Sequence, residues 1–171
     1  MQLVSIEGGS KHNAIPREAW ARVFTSADKA ELEKALTERL DAIRFEYKAV
    51  EKDMKLTVQS ADVNEQPLTA DSQGKFLSML VGLPHGVESM SQEIPGLVET
   101  STNLAIVKTM QEEASVYTST RSSILSALEA LRRKIEAIGT LAGGKINHLE
   151  GYPAWTPNLD SAILKTMKGI Y

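Results

Sequence analysis

The sequence contains no cysteine, which excludes disulfide bonds, cysteine nucleophiles and thiolate metal sites. No apolar run approaches the ~20 residues that a membrane-spanning helix needs. Residues 1–7 also lack the basic segment and apolar run of a signal peptide. Lysine and arginine number 19 against 22 aspartates and glutamates, so there is no cationic excess for binding nucleic acid. These absences predict a cytoplasmic chain that binds neither membrane nor nucleic acid.

The residues that commonly carry catalysis form no recognisable motif. His12, His85 and His148 are far apart in sequence, and none stands in a metal-binding spacing such as H-E-x-x-H. Separate surface or turn histidines are the simplest interpretation, while a metal site assembled from distant residues stays open. The glycine pairs lack phosphate-loop spacing, and no serine lies in G-x-S-x-G. The residues alone therefore predict no catalytic residue and no metal ligand.

The hydrophobic pattern of the first third predicts two strands followed by a long helix. Alternation at residues 3–6 and the apolar run at 20–24 predict an antiparallel pair. Thr25 with Asp28 three residues later is a helix start signal. Apolar residues then recur at spacings of three and four: Leu32, Leu36, Leu40, Ile43, Tyr47, Val50 and Met54. This stripe predicts a helix that covers one side of a sheet.

The rest of the chain predicts further strands and helices in mixed order. We expect strands at 56–59, 96–107, 115–120 and 145–150, and helices at 71–81, from Ser122 or Ser123 to Gly139 or Gly143, and at 161–170. Residues 82–96, rich in glycine and proline, predict an irregular connection, and a turn is expected near 111–113. Period two places Val98, Thr100, Thr102, Leu104 and Ile106 on one strand face. The predicted fold class is α+β, a two-layer sandwich with helices on one face of an antiparallel sheet.

Three stretches of the sequence carry a further signal. Residues 8–19 read G-G-S-K-H-N-A-I-P-R-E-A, residues 96–104 read G-L-V-E-T-S-T-N-L, and residues 151–157 read G-Y-P-A-W-T-P. They resemble, in the same order, segments of the lid of aminoacyl-histidine dipeptidases (Xaa-His dipeptidases), which are co-catalytic zinc exopeptidases. Because the three segments span most of the chain, the combination is specific where N-x-I-P alone would be weak.

The resemblance implies a domain organisation and an activity. Residues 1–152 would form a ferredoxin-like lid enlarged by an insertion at 62–95, and residues 153–171 would lead back to a catalytic domain that this sequence does not contain. Members of the family bind two zinc ions in that other domain, so zinc is expected in the parent enzyme and none in this chain. The parent would hydrolyse Xaa-His dipeptides with a zinc-activated water. This chain, inactive alone, would position the dipeptide substrate and close over the site together with its own catalytic domain.

Two residues are candidates for substrate binding. The resemblance implies that Asn13 reaches the substrate near its C-terminal end, where a carboxamide can donate to a carboxylate or accept from an amide. The alternative is a turn asparagine that bonds its own backbone before Pro16. The resemblance also implies that Arg121 holds the substrate carboxylate, which a planar guanidinium can bind through two hydrogen bonds. The alternative is a surface arginine at a strand end. No role is assigned to His12, Glu99 or Asn103.

Two further hypotheses come from other functional classes. A non-catalytic dimerisation or regulatory module could share this fold, since an edge strand can pair with a second copy to give a homodimer. A small enzyme of another type is the third hypothesis, but the sequence shows neither a nucleophile motif nor a metal cluster to support it.

Overall fold

The computed structural model describes residues 1–62, 64–110, 112–153, 155 and 157–170. In chain order its elements are β1 Gln2–Gly8, β2 Ala19–Phe24, α1 Lys29–Tyr47, α2 Ala70–Gly82, β3 Gly86–Met90, β4 Val98–Thr109, β5 Ala114–Ser122, α3 Leu125–Leu141 and α4 Ala162–Lys168. The predicted α+β class with an antiparallel sheet is confirmed. Within this part of the chain, no helix is both long and apolar enough to cross a membrane. The turn predicted at 111–113 and the motif at 151–157 each include positions outside the described residues.

Strand β4 is the centre of the five-stranded sheet. Along one edge it pairs with β5, from Thr100 opposite Ser122 to Thr109 opposite Ala114. Its other edge is shared, because β3 pairs with residues 98–102 and β1 with residues 107–108, and β2 then pairs with β1. The edge of β4 between these two neighbours lies open to the connection between β1 and β2.

The face of β4 that holds Thr100 and Thr102 is polar and buried. Thr100 and Thr102 are 1% and 4% exposed, and each bonds a hydroxyl of β5. The Thr100 and Ser122 hydroxyls are 2.8 Å apart, and those of Thr102 and Thr120 are 2.9 Å apart. Such cross-strand pairs satisfy buried hydroxyls that would otherwise cost stability. Leu131 of α3, 2% exposed, is the apolar counterpart of this layer.

A β-bulge corrects the predicted strand face. Leu104 lies opposite Thr118, but Ile106 lies opposite Tyr117, so the register slips by one residue. Because neighbouring strand residues point to opposite faces, Ile106 turns away from the face that holds Thr100. The period-two prediction is correct for Thr100, Thr102 and Leu104 and wrong for Ile106, and Ala105 in the bulge is fully buried.

Helix α1 has Asp28 at its N-cap where the sequence pattern predicted Thr25, and it packs differently from the prediction. The Asp28 carboxylate caps it by accepting a hydrogen bond from Ala30 N at 2.8 Å. The helix ends at Tyr47, and the Arg44 guanidinium donates to the carbonyl of Met54, which turns the following segment back along the last turn. Residues 56–59 are not a strand. No residue of α1 is buried, so the predicted cover for the sheet is wrong.

Helices α2 and α3 contact each other, and each contacts the sheet, whereas no residue of α4 is buried. Thr69 caps α2, which carries the buried Phe76, and Gln73 of α2 accepts a hydrogen bond from Leu3 N at 2.6 Å. Helix α3 runs through the buried Gly139 and ends before Gly143, whose φ of +80° favours glycine. Two predictions fail here: β3 lies in the region expected to be irregular, and residues 145–150 form no strand.

Candidate functional site

The connection between β1 and β2, residues 9–18, crosses β4 at its open edge. Gly9 has a φ of +71°, and a Cβ on it would lie 1.9 Å from the carbonyl oxygen of Ala105. Only glycine permits this approach to the β4 bulge. Gly9 N also donates to Glu18 O at 3.3 Å, which closes the base of the loop. The glycine pair therefore does more than end a strand: it lets the loop lie directly on β4.

The tip of this loop presents Asn13. Ala14 N donates to Lys11 O at 3.4 Å, so residues 11–14 form a tight turn with an exposed Asn13 side chain. The Ala14 carbonyl accepts a hydrogen bond from Asn103 Nδ2 of β4 at 2.7 Å. The ring of His12 meets that of Tyr117 edge to face, with centroids 6.0 Å apart. The loop is thus attached to both β4 and β5.

Arg121 lies near the end of β5, opposite Ser101 of β4. The neighbouring Ser122 holds this part of the strand in place, because it bonds Thr100 across the strands and also accepts a hydrogen bond from Ile124 N at 3.0 Å. Strand and helix therefore meet at a defined corner. The Arg121 side chain is exposed, and within the described part of the chain it forms no ion pair.

Asn13 and Arg121 line the same groove, which has a volume of about 1280 Å³. Its walls are the loop tip, β5, one face of α3 and the segment from Lys145 to Pro153. Four cationic side chains line it, Lys11, Arg121, Arg132 and Lys145, against two carboxylates, Glu136 and Glu150. The groove is therefore locally cationic in a chain with a net charge of −3. Such a surface favours an anionic ligand.

The described residues do not fit the zinc site that the resemblance implies for a parent enzyme. No three His, Cys, Asp or Glu side chains of the described chain converge to hold a metal ion. His85 Nδ1 already accepts a hydrogen bond from Leu104 N at 3.0 Å, and His148 lies 3.7 Å from Glu136. The three histidines of this chain therefore make local contacts.

Sequence reasoning identifies two residues of the groove and overlooks others. The basic triplet at 132–134 is exposed, as is typical of such a triplet on a helix, and Arg132 also lines the groove with Leu128 and Ile135. The spacing of four and three would have placed these three residues on one face. The bond from Asn103 to the loop joins residues 89 positions apart, so no local pattern could have revealed it.

Comparison with known proteins shows that the chain is similar to part of two dipeptidases described below. The chain is 31% identical over 172 residues to the Cytosol non-specific dipeptidase of Escherichia coli (strain K12), covering 100% of this chain and 36% of that protein. It superposes on the crystal structure of aminoacylhistidine dipeptidase from Vibrio alginolyticus with a TM-score of 0.92 and 30% identity, covering 99% of this chain and 36% of that one. No protein-family model matches the chain.

These matches confirm the resemblance seen in the three sequence motifs. They also confirm the fold, since nearly the whole length of this α+β chain superposes on part of a dipeptidase. The chain spans about a third of the length of these relatives.

Proposed function

We propose that this chain is the substrate-positioning lid of a zinc metallodipeptidase that hydrolyses Xaa-His dipeptides, and that it is inactive alone. One observation carries the proposal: Asn13 and Arg121, the two residues implied by the resemblance, line one cationic groove. They lie far apart in sequence, on different elements, so the fold has brought them to the same feature.

The chemistry of the groove supports a carboxylate ligand. Arg121 makes no ion pair among the described residues, so its guanidinium is available for two hydrogen bonds to a carboxylate. The exposed carboxamide of Asn13 can donate to the same group or accept from the peptide amide. Binding the C-terminal end of the substrate would fix the scissile bond relative to groups elsewhere.

The remaining parts of the proposal concern a longer parent enzyme. The chain spans 36% of each dipeptidase that it matches, which leaves room for a catalytic domain that binds zinc. Residues 153–171 would connect the lid to that domain. The parent would act in the cytoplasm, in keeping with the cysteine-free sequence of this chain.

Titration of the isotope-labelled chain with an Xaa-His dipeptide tests the substrate assignment. We expect amide shifts confined to the loop at 9–18 and to residues 119–123. The same dipeptide with an amidated C-terminus should give no such shifts, because the carboxylate is the group bound. Arg121→Ala should weaken binding about 10- to 100-fold, since a charge-assisted hydrogen bond contributes about 1.5–3 kcal/mol.

Arg133→Ala is the matched control for that titration. Arg133 is an exposed arginine of α3 that does not line the groove, so its loss changes the net charge equally but should leave binding intact. Equal losses in the two variants would indicate general charge attraction and contradict a specific role for Arg121.

A second candidate function, a non-catalytic dimerisation or regulatory module, is favoured by the surface of α1. Leu36, Ile43, Phe45 and Tyr47 are all at least 36% exposed, although buried apolar stripes are usual for such helices. Light scattering after size exclusion distinguishes the alternatives. A homodimer that Ile43→Glu converts to a monomer, with no dipeptide binding by either, would favour the module.

A further inference from the structure

The hydrogen bond between β4 and the loop that presents Asn13 suggests a role for a residue that the proposed function does not use. We propose that Asn103 is a positioning residue, which holds residues 9–18 on the sheet and thereby orients Asn13 toward the groove. It acts through the backbone of the loop and does not itself contact a ligand.

The bond is well placed for this role. Asn103 Nδ2 lies 2.7 Å from the carbonyl oxygen of Ala14, the residue that follows Asn13. Fixing that carbonyl restricts the two peptide units after Asn13, and the turn bond from Ala14 N to Lys11 O restricts the units before it. The Asn13 side chain therefore projects from a backbone segment held at both ends.

The orientation of the Asn103 carboxamide follows from its surroundings. The opposite orientation would place Oδ1 against the Ala14 carbonyl, two acceptors facing each other. As oriented, Oδ1 is buried and meets no hydrogen-bond donor in the described part of the chain. A buried acceptor without a partner lowers stability. An asparagine at this position is thus poorly explained by stability alone and well explained by the loop.

Two further contacts hold the first half of the loop on the sheet. Gly9 lies against the Ala105 carbonyl, two residues beyond Asn103 on β4, and His12 meets Tyr117 of β5. Asn103 supplies the polar attachment between these points. No strand pairs with this edge of β4 between Thr102, where β3 ends its pairing, and Val107, where β1 begins.

This inference rests on the proposed function for the importance of Asn13, but its structural part can be tested without any ligand. Amide hydrogen exchange at residues 11–15 is measured in the full 171-residue chain. Asn103→Ala and Asn103→Asp are compared with the unaltered chain; the aspartate keeps the side-chain volume and cannot donate. Both variants should exchange at least about 10-fold faster in this turn.

Thr109→Val is the matched control. Thr109 also joins β4 to the β1 side by bonds from side chain to backbone, with its hydroxyl 2.7 Å from Ile6 O and 2.9 Å from Ile6 N. That attachment lies at the far end of β4, so its loss should leave exchange in the turn unchanged. Unchanged exchange in both Asn103 variants, or equal acceleration by Thr109→Val, would overturn the proposal.

A double-mutant cycle on dipeptide affinity tests whether Asn103 acts through Asn13. We expect Asn103→Ala and Asn13→Ala each to raise the Kd about 5- to 10-fold, and the double variant to raise it no further. Effects that multiply would overturn the positioning role. If the unaltered chain binds no dipeptide, the proposed function fails, while the exchange measurement still decides whether Asn103 orders the loop.

Discussion

The loop at residues 9–18 and helix α1 contrast in how sequence relates to packing. The loop has no regular structure, yet Gly9, His12 and Ala14 each contact β4 or β5 closely. Helix α1 has a regular 19-residue structure with a side-chain cap, and none of its residues is buried. Local regularity and attachment to the core are therefore independent in this molecule.

The contrast has a physical basis. A helix forms when its cap and residue propensities favour it, but the apolar stripe adds stability only if another surface covers it. The loop is ordered instead by long-range bonds and by one glycine that permits close backbone approach. We therefore expect substitutions near β4 to affect the whole fold and substitutions in α1 to have local effects.

The largest expected difference is between two leucine-to-alanine substitutions. Leu131→Ala removes a side chain that is 2% exposed and should lower the free energy of unfolding by about 2–5 kcal/mol. Leu36 of α1 is 36% exposed, so Leu36→Ala should lower the free energy of unfolding by less than about 1 kcal/mol. Urea unfolding measures both. Equal losses would show that α1 is part of the core.

Two glycine substitutions give the next largest difference. Gly9→Ala and Gly96→Ala both place alanine at a positive φ, +71° and +81°. The left-handed conformation costs about 1–2 kcal/mol in each. Only Gly9→Ala also forces a Cβ against the Ala105 carbonyl, and overpacking adds about 1–3 kcal/mol. Thermal unfolding that ranked Gly96→Ala as more damaging would contradict the close approach of the loop to β4.

The smallest effect concerns the helix caps. Thr69→Ala in α2 and Asp28→Ala in α1 each remove a cap that contributes about 0.5–2 kcal/mol. Because α2 carries the buried Phe76, loss of the Thr69 cap should lower the free energy of unfolding of the whole chain. Asp28→Ala should accelerate amide exchange in α1 without moving the unfolding midpoint. A lower midpoint for Asp28→Ala would mean that α1 unfolds together with the sheet.

Local patterns predicted much of this fold and one feature of the site. Strands β1, β2, β4 and β5 and helix α2 follow from alternation and helical spacing, whereas β3 was not predicted and the strands expected at 56–59 and 145–150 do not form. The packing of α1 could not be predicted in this way, because an apolar stripe indicates that a helix can be covered without indicating what covers it. The bulge at Ala105 could not be predicted either, since the alternation in the sequence does not reveal an extra strand residue until the register is known.

The candidate site shows the same limit. Asn13 and Arg121 were found through the resemblance to a known family, and both line one groove. Arg132 was missed although helical spacing could have placed it there. Asn103 could not have been assigned, because its bond to Ala14 depends on the open edge of β4, a property of the assembled sheet.

The most direct test of the substrate-positioning role is hydrolysis of an Xaa-His dipeptide with zinc present. The chain alone is compared with a chimera in which it replaces the matching segment of the Escherichia coli dipeptidase, over the 172 aligned residues. We predict an inert chain, an active chimera, and about a 10- to 100-fold loss of kcat/KM in the folded chimera on Arg121→Ala, mainly through KM. An active isolated chain, or a chimera unaffected by Arg121→Ala, would contradict the account.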